Sequence, residues 1–218
     1  MISRPAAGDP HHYNPQDLCA GGKRRVAQRA AELVPENGTI PLDSGTTVYE
    51  LSRQLAQRRG LHVATNDLIC ALSSNPEISV FVLGGALRTA NFSMNGPFTE
   101  NVIRQLHADA VVFSRGLMGF SMDELPTKRL MIRSARQTVL LCCHTKLESS
   151  AFVSICPLRD IDVIITEAET DPGILVKLEE QGIKVFTARN AACPHSFPPN
   201  IRPIHSKTAG AGARAVPK

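Results

Sequence analysis

The stretch GTIPLDSGTT, residues 38–47, predicts a β-strand, a tight turn and the start of a helix. Residues 39–42 are a short β-favouring run that ends in Asp43. Ser44 and Gly45 then supply small turn residues before two threonines whose hydroxyls suit a helix start. Such a turn brings backbone N–H groups, hydroxyls and the positive end of a helix dipole together. The stretch therefore indicates a phosphate or carboxylate site, and simple helix capping by the same residues is the alternative.

Two more predicted strands end in small or polar residues. Residues 61–65 form a short β-favouring run that is followed by Asn66 and Asp67. Residues 78–83 are a nearly continuous apolar run, typical of a parallel strand that is covered on both faces, and a Gly-Gly pair follows it. Ligands of open α/β sheets bind outside the carboxyl ends of the strands. We therefore expect the three strand ends to meet at one crevice.

The rest of the chain alternates between helical and strand-like periods. Helices are predicted over residues 23–34, 47–59, 68–72, 96–105, 128–135 and 172–181, and further strands over 108–113, 139–143, 163–166 and 184–187. This alternation with short connections predicts an α/β fold with a mostly parallel, Rossmann-like sheet between two helical layers. The proline- and glycine-rich residues 1–22 are predicted to be a disordered leader, residues 23–188 one domain, and residues 189–218 a disordered basic tail.

Composition excludes several classes of function. The net charge of +4 arises from 24 basic and 20 acidic residues that are interspersed, so no basic stripe indicates nucleic-acid binding. The six cysteines lack metal-ligand spacing, which predicts reduced thiols and neither a metal nor a cofactor. No signal peptide or membrane-spanning run is present in the sequence. We therefore expect a cytoplasmic protein without a membrane partner.

Several motifs occur in an order that resembles the C-terminal sensor domain of the DeoR family of bacterial transcriptional repressors. They are LDSGTT (42–47), TND (65–67), LGGALR (83–88), TKRLMI (127–132), HTK (144–146) and DIDVIITE (160–167), preceded by the helix KRRVAQRAAELVPENG (23–38). The resemblance implies the fold shared by ribose-phosphate isomerases, glucosamine-phosphate isomerases and CoA transferases. It also implies a non-enzymatic homo-oligomer that binds a phosphorylated sugar or related metabolite, which releases the repressor from its operator.

The resemblance assigns an effector site position by position and no catalytic residue. The implied effector-binding residues are Asp43, Ser44, Gly45, Thr46, Thr47, Thr65, Asn66, Asp67, Gly84, Gly85, Lys128 and Lys146. Backbone amides and a lysine suit the phosphate, whereas Asp43 and Asn66 suit sugar hydroxyls.

Three departures from the family pattern bear on function. No winged helix-turn-helix precedes the first helix, which predicts a truncated sensor that does not bind DNA by itself. Cys143 stands where the family has an aspartate, and the loop between Ser114 and Lys128 is short. A lost carboxylate and a more open pocket predict weak, poorly selective effector binding.

Two other functions remain open at this point. A sugar-phosphate isomerase of the same fold needs a general base and a second acid/base group, for which Asp43, Asp123 and Glu124 are candidates without a convincing pairing. The other alternative is a degenerate domain that serves only oligomerisation.

Overall fold

The computed structural model describes residues 20–68, 75–89, 91–114, 123–147 and 155–188. Its helices are α1 (Ala20–Leu33), α2 (Thr46–Leu55), α3 (Pro97–Ile103), α4 (Leu125–Ser134), α5 (His144–Leu147) and α6 (Pro172–Glu180), with a 3-10 helix at Leu158–Asp160. Its strands are β1 (Gly38–Leu42), β2 (Leu61–Thr65), β3 (Ser79–Val82), β4 (Ala86–Arg88), β5 (Ser93–Asn95), β6 (Ala108–Ser114), β7 (Ala135–Leu141), β8 (Val163–Glu167) and β9 (Lys184–Ala188).

Seven strands form one sheet in the order β3-β2-β1-β6-β7-β8-β9, and every neighbouring pair in it is parallel. The chain runs outward from β1 to β3, returns to the centre at β6 and then runs outward to β9. The strand order therefore reverses between β1 and β6, which is where open α/β sheets form their ligand crevice. The predicted fold class is confirmed.

Two apolar cores cover the two faces of the sheet. Helices α1 and α2 contribute Val26 and Leu51 to one core, whereas α4 and α6 contribute Met131 and Leu178 to the other. Successive residues of the central strands point to opposite faces, and Val112 accordingly belongs to the first core and Phe113 to the second. The sheet is thus the middle of three layers.

Strand β3 differs from the prediction because it is the edge of the sheet. The apolar run suggested a strand covered on both faces, but Phe81 is 56% exposed and Val82 is 42% exposed. The chain leaves the sheet after this strand and forms the antiparallel β4–β5 hairpin, which the sequence analysis did not predict. The hairpin attaches to the end of β2, where Met94 N–H donates to Asn66 O at 2.8 Å and Leu68 N–H donates to Phe92 O at 2.9 Å.

Several boundaries also differ from the predictions. Helix α1 begins at Ala20, earlier than the predicted Lys23, and α2 ends at Leu55 rather than at Arg59. The predicted leader up to residue 19, the predicted tail 189–218 and nearly all of the predicted helix 68–72 lie outside the described residues. Within the described part of the chain, no helix combines the length and apolarity that crossing a bilayer requires.

Candidate functional site

Asp43 follows β1 directly and is fully buried at the point where the strand order reverses. Its backbone N–H donates to Val112 O at 3.0 Å, which continues the pairing of Leu42 with Val112 in β6. Its Oδ2 accepts a hydrogen bond from the buried Lys128 Nζ of helix α4. The sheet and α4 therefore fix this carboxylate together, and we call the region around Asp43, Ser44, Asn66 and Lys128 the β1 site.

The electrostatics of Asp43 reflect its burial. Removal from water raises the pKa of the Asp43 carboxyl above its ordinary value, and the Lys128 charge and hydrogen bond lower it. The negative charge of Glu124 raises this pKa further, and the Ser44 backbone N–H lowers it. A second carboxylate therefore acts on the β1 site in addition to the ion pair.

The turn after Asp43 is held by the neighbouring strand end. Ser44 N–H donates to Asn66 Oδ1 at 3.0 Å, so the DSGTT and TND motifs are in direct contact. Thr65 Oγ1 accepts from Asp67 N–H at 3.0 Å, which closes the turn after β2. Asp43, Ser44, Thr65, Asn66 and Asp67 are all buried. The convergence of the β1 and β2 ends that the sequence predicts is present in the structure.

Gly45 allows the turn to approach strand β6. A Cβ atom at position 45 would overlap Ser114 Oγ at the end of β6. Helix α2 starts immediately after this glycine, and no side chain caps it within the described residues. Simple capping by the hydroxyls of this stretch, the alternative from the sequence, is thus not what the structure shows. Thr46 is half-buried and Thr47 is buried in the first turn of α2.

Several buried oxygen atoms at this edge have no hydrogen-bond partner in the part of the chain that the structure describes. They are Asp43 Oδ1, Ser44 Oγ, Asn95 Oδ1 and Thr127 Oγ1. Buried polar atoms are normally hydrogen-bonded, and leaving one without a partner costs about 1–3 kcal/mol. These atoms lie at the end of β1, on β5 and in α4, and each retains an unused hydrogen-bonding group.

The chain matches the model of the DeoR C terminal sensor domain over residues 19–168. The chain belongs to the DeoR family. The transcriptional regulator GolR of Listeria innocua is 33% identical over 175 residues, which are 76% of this chain and 69% of that protein. The glycerol-3-phosphate regulon repressor of Haemophilus influenzae is 30% identical over 172 residues, 75% of this chain and 68% of that protein. Ribose 5-phosphate isomerase A of Neisseria gonorrhoeae has a TM-score of 0.40 at 17% identity, over 57% of this chain and 52% of that one.

The glycine pair of this DeoR sensor domain lies at the side of the β1 site. Strand β3 is two strands from β1, which corresponds to roughly 10 Å across the sheet. Gly84 O accepts a hydrogen bond from Thr99 Oγ1, and Gly85 packs against Thr99 and Asn95. These glycines therefore shape the passage into the hairpin, and the structure does not bring them into contact with Asp43.

Lys146 lies on the other side of the site, in the short helix α5 after β7. It is buried, and its backbone N–H donates to Cys143 O at 3.0 Å. Glu167, at the end of β8, accepts from His144 N–H at 3.0 Å and lies 2.7 Å from His144 Nδ1. The start of α5 is therefore anchored to the sheet, which fixes the backbone that carries Lys146.

Glu124 and its partners form a part of the site that sequence reasoning missed. Glu124 Oε1 accepts hydrogen bonds from Arg88 of β4 and from Asn91 Nδ2, the latter at 2.8 Å. Arg88 stands inside the LGGALR motif, and Glu124 was considered only as a possible acid/base group. The order of the motifs gave a signal for Arg88 but not for Asn91 or Glu124, and the pairing of these residues depends on the β4–β5 hairpin, which was not predicted.

Proposed function

We propose that this DeoR sensor domain binds a phosphorylated sugar or a related phosphorylated metabolite at the β1 site and thereby controls a transcriptional regulator. The observation that carries the proposal is the turn between Asp43 and Thr47. Its polar groups are buried beside β6, unpartnered oxygens lie next to it, and it leads into an α2 terminus without a side-chain cap. Backbone N–H groups at such a terminus suit a phosphate.

Different groups of the β1 site suit the phosphate and the hydroxyl groups of the ligand. The buried cation of Lys146 supports the phosphate together with the α2 terminus, whereas Asp43 Oδ1 and Asn66 suit hydroxyl groups. Thr46 and Thr47 add hydroxyls in the first turn of α2. The name of the Haemophilus relative, a glycerol-3-phosphate regulon repressor, supports an effector of this class.

The experiment is a thermal-shift titration with inorganic phosphate and a panel of sugar phosphates. We expect phosphorylated compounds to raise the melting temperature of the wild type, because a ligand that binds only the folded state stabilises it. Lys146→Ala should lose most of this ligand-dependent rise, measured against its own ligand-free value. Lys177→Ala, which removes an exposed lysine on α6, is the matched control. A rise that is the same in both variants would contradict the assignment of Lys146.

The isomerase alternative is disfavoured by the pairing of the carboxylates. A general base needs a carboxylate that can take a proton from the sugar. Asp43 Oδ2 is instead bound to Lys128, and Glu124 Oε1 is bound to Arg88 and Asn91, so neither carboxylate is hydrogen-bonded to a second carboxylate or a histidine in the described part of the chain. We propose that the domain senses its ligand without turning it over. Isomer formation from ribose 5-phosphate or glucosamine 6-phosphate that disappears in Asp43→Asn would overturn this proposal.

We further propose that the described residues sense the effector and associate with copies of themselves but do not read an operator. The described elements are those of the sheet and its covering helices, and none is placed as a recognition helix beside a helix-turn-helix partner. Light scattering tests self-association. A gel shift at moderate salt tests DNA binding, and a sequence-specific complex that survives competitor DNA would contradict the proposal.

The effect of Cys143 on affinity is also a proposal. Cys143 is fully buried at the end of β7, and its carbonyl accepts the N–H groups of Lys146 and Leu147. A thiol accepts hydrogen bonds from hydroxyls poorly, so weak effector binding is expected. Calorimetry on Cys143→Asp tests this, with tighter binding as the expected result. Tight binding by the wild type would show that the loss of the aspartate is compensated elsewhere in the site.

A further inference from the structure

Glu124 is a second carboxylate of the β1 site. It precedes α4 and is 7% exposed, and its carbonyl accepts the backbone N–H of Lys128 at 3.0 Å. Lys128 in turn binds Asp43, and the negative charge of Glu124 raises the pKa of the Asp43 carboxyl. Glu124 therefore lies beside the buried ion pair, one helical turn from its lysine.

The β4–β5 hairpin fixes the orientation of Glu124. Asn95 Nδ2 donates to Ser93 Oγ at 2.9 Å, and Ser93 Oγ donates to Asn91 Oδ1 at 2.8 Å. Asn91 Nδ2 and Arg88 then donate to Glu124 Oε1. Both donors reach the same oxygen within the described residues. Oε2 is consequently the oxygen through which Glu124 can accept a further donor.

Unpartnered buried oxygen atoms lie on the elements that are linked to this carboxylate, namely the end of β1, β5 and α4. Asp43 Oδ1 and Asn95 Oδ1 can only accept hydrogen bonds, whereas Ser44 Oγ and Thr127 Oγ1 can donate or accept. Three of these atoms, counting Glu124 Oε2, can only accept, so a ligand that satisfies them must supply donors. The dianion of a phosphate ester and an ionised carboxylate offer no donor, whereas a hydroxyl group does, so these atoms suit hydroxyl groups.

We propose that Glu124, held by Arg88 and Asn91, is a specificity residue that selects hydroxyl-bearing phosphates over phosphorylated carboxylic acids. The inference rests on the proposed function, because it assigns the part of the same site that contacts the remainder of the ligand. A hydroxyl donates to the carboxylate in a charge-assisted hydrogen bond. A ligand carboxylate at the same place meets acceptor oxygens and the negative charges of Glu124 and Asp43.

The test compares glycerol 3-phosphate with 3-phosphoglycerate, which carries a carboxylate in place of one CH2OH group. Binding of both compounds and of inorganic phosphate is measured by calorimetry on wild type, Glu124→Gln and Asp123→Asn. The wild type should bind glycerol 3-phosphate at least about tenfold more tightly than 3-phosphoglycerate. Glu124→Gln should reduce the affinity for glycerol 3-phosphate about tenfold or more. The ratio of the affinities for glycerol 3-phosphate and 3-phosphoglycerate should therefore fall, while the affinity for inorganic phosphate stays the same.

Asp123→Asn is the matched control because it removes the same charge from an exposed neighbouring position. This variant should leave the ratio of the affinities for the two organic phosphates unchanged. Arg88→Met, which removes a donor to Glu124, should lower the ratio of the affinities for the two organic phosphates, as Glu124→Gln does. A Glu124→Gln variant that loses affinity for all three compounds equally would show a structural role and overturn the inference. Equal wild-type affinity for the two organic phosphates would overturn it as well. Absence of binding by inorganic phosphate and both esters would instead refute the proposed function, and the inference with it.

Discussion

At the scale of single residues, the main feature of the β1 site is the buried ion pair between Asp43 and Lys128. The Asp43 and Lys128 side chains are 0% and 5% exposed, so each charge depends on the other for compensation. Isolated buried charges are costly, and breaking a buried pair costs more than the pair contributes. The pair therefore acts as a structural constraint on the turn after β1.

Lys128→Met should destabilise the protein by about 3–5 kcal/mol, because Asp43 is left buried without its cation. The double variant Asp43→Asn with Lys128→Met should recover at least about 1 kcal/mol of this loss, because the uncompensated charge is removed. Urea denaturation of the wild type, both single variants and the double variant measures the coupling. Additive losses would mean that the two side chains do not interact.

Cys156 should react with alkylating reagents only at high pH. Burial and the nearby charge of Asp160 raise the pKa of its thiol to about 11, against the opposing effect of Arg129. The thiolate is the nucleophile, and a raised pKa keeps it scarce below that pH. Peptide-level mass spectrometry after iodoacetamide treatment should show slow modification of Cys156 near pH 8 and a rate that increases towards pH 11. The urea-unfolded chain is the control, and equal rates in both states at pH 8 would contradict the expectation.

At the scale of structural elements, the β4–β5 hairpin joins the sheet edge to the β1 site. Gly85, with φ 142°, begins the passage from β3 into the hairpin, and a Cβ atom there would overlap Thr99 Oγ1 and lie 2.7 Å from Asn95 O. A Cβ atom at Gly84 would meet nothing within 4 Å. The two adjacent glycines therefore have different structural requirements.

Gly85→Ala should destabilise the protein by about 1–3 kcal/mol, because the backbone conformation disfavours a side chain and the neighbouring carbonyl cannot move freely. Gly84→Ala is the matched control and should change stability by no more than about 0.5 kcal/mol. Thermal or urea denaturation of both variants provides the comparison. Similar losses at the two positions would show that the hairpin does not require Gly85.

The elements that the sequence predicted well are those specified by local patterns. Strand β2 occupies the predicted residues because a β-favouring run is bounded by Gly60 and Asn66. The hairpin was missed because its strands have three residues each and depend on a distant partner, as in the bond from Met94 to Asn66. The run at β3 was correctly assigned as a strand, but its position at the edge is a property of the whole sheet.

Contacts within the site were also predictable only where a local pattern or a general rule of sheets specifies them. The contact between the turns after β1 and β2 follows from the rule that parallel strands end at one edge. The bond from Lys128 to Asp43 joins residues that are 85 positions apart, and no local pattern specifies it. The resemblance to the family placed both residues in one site, whereas only the packing of α4 shows that they bind each other. The role of Glu124 similarly depends on the hairpin.

At the scale of the whole molecule, the site depends on pairing between residues that are far apart in the chain. Every neighbouring pair in the seven-stranded sheet is parallel and needs a crossover connection, and such non-local pairing folds slowly. Strand β1 lies between β2, which follows it closely in sequence, and β6, which comes much later. The pairing of β1 with β6 therefore connects the half of the sheet formed by β1 to β3 with the half formed by β6 to β9.

The order of strands therefore sets when a newly synthesised chain can first assemble the site at which we propose effector binding. Asp43 leaves the ribosome early, but the carbonyl of Val112 and the lysine at 128 that hold it emerge only after more than half of the chain. Nascent chains stalled before α4 should be protease-sensitive with or without sugar phosphate, and chains stalled well beyond α4 should gain ligand-dependent resistance. Ligand-dependent protection of the shorter chains would contradict this order. On the proposed function, an effector present during translation therefore stabilises the domain only once α4 packs against the sheet.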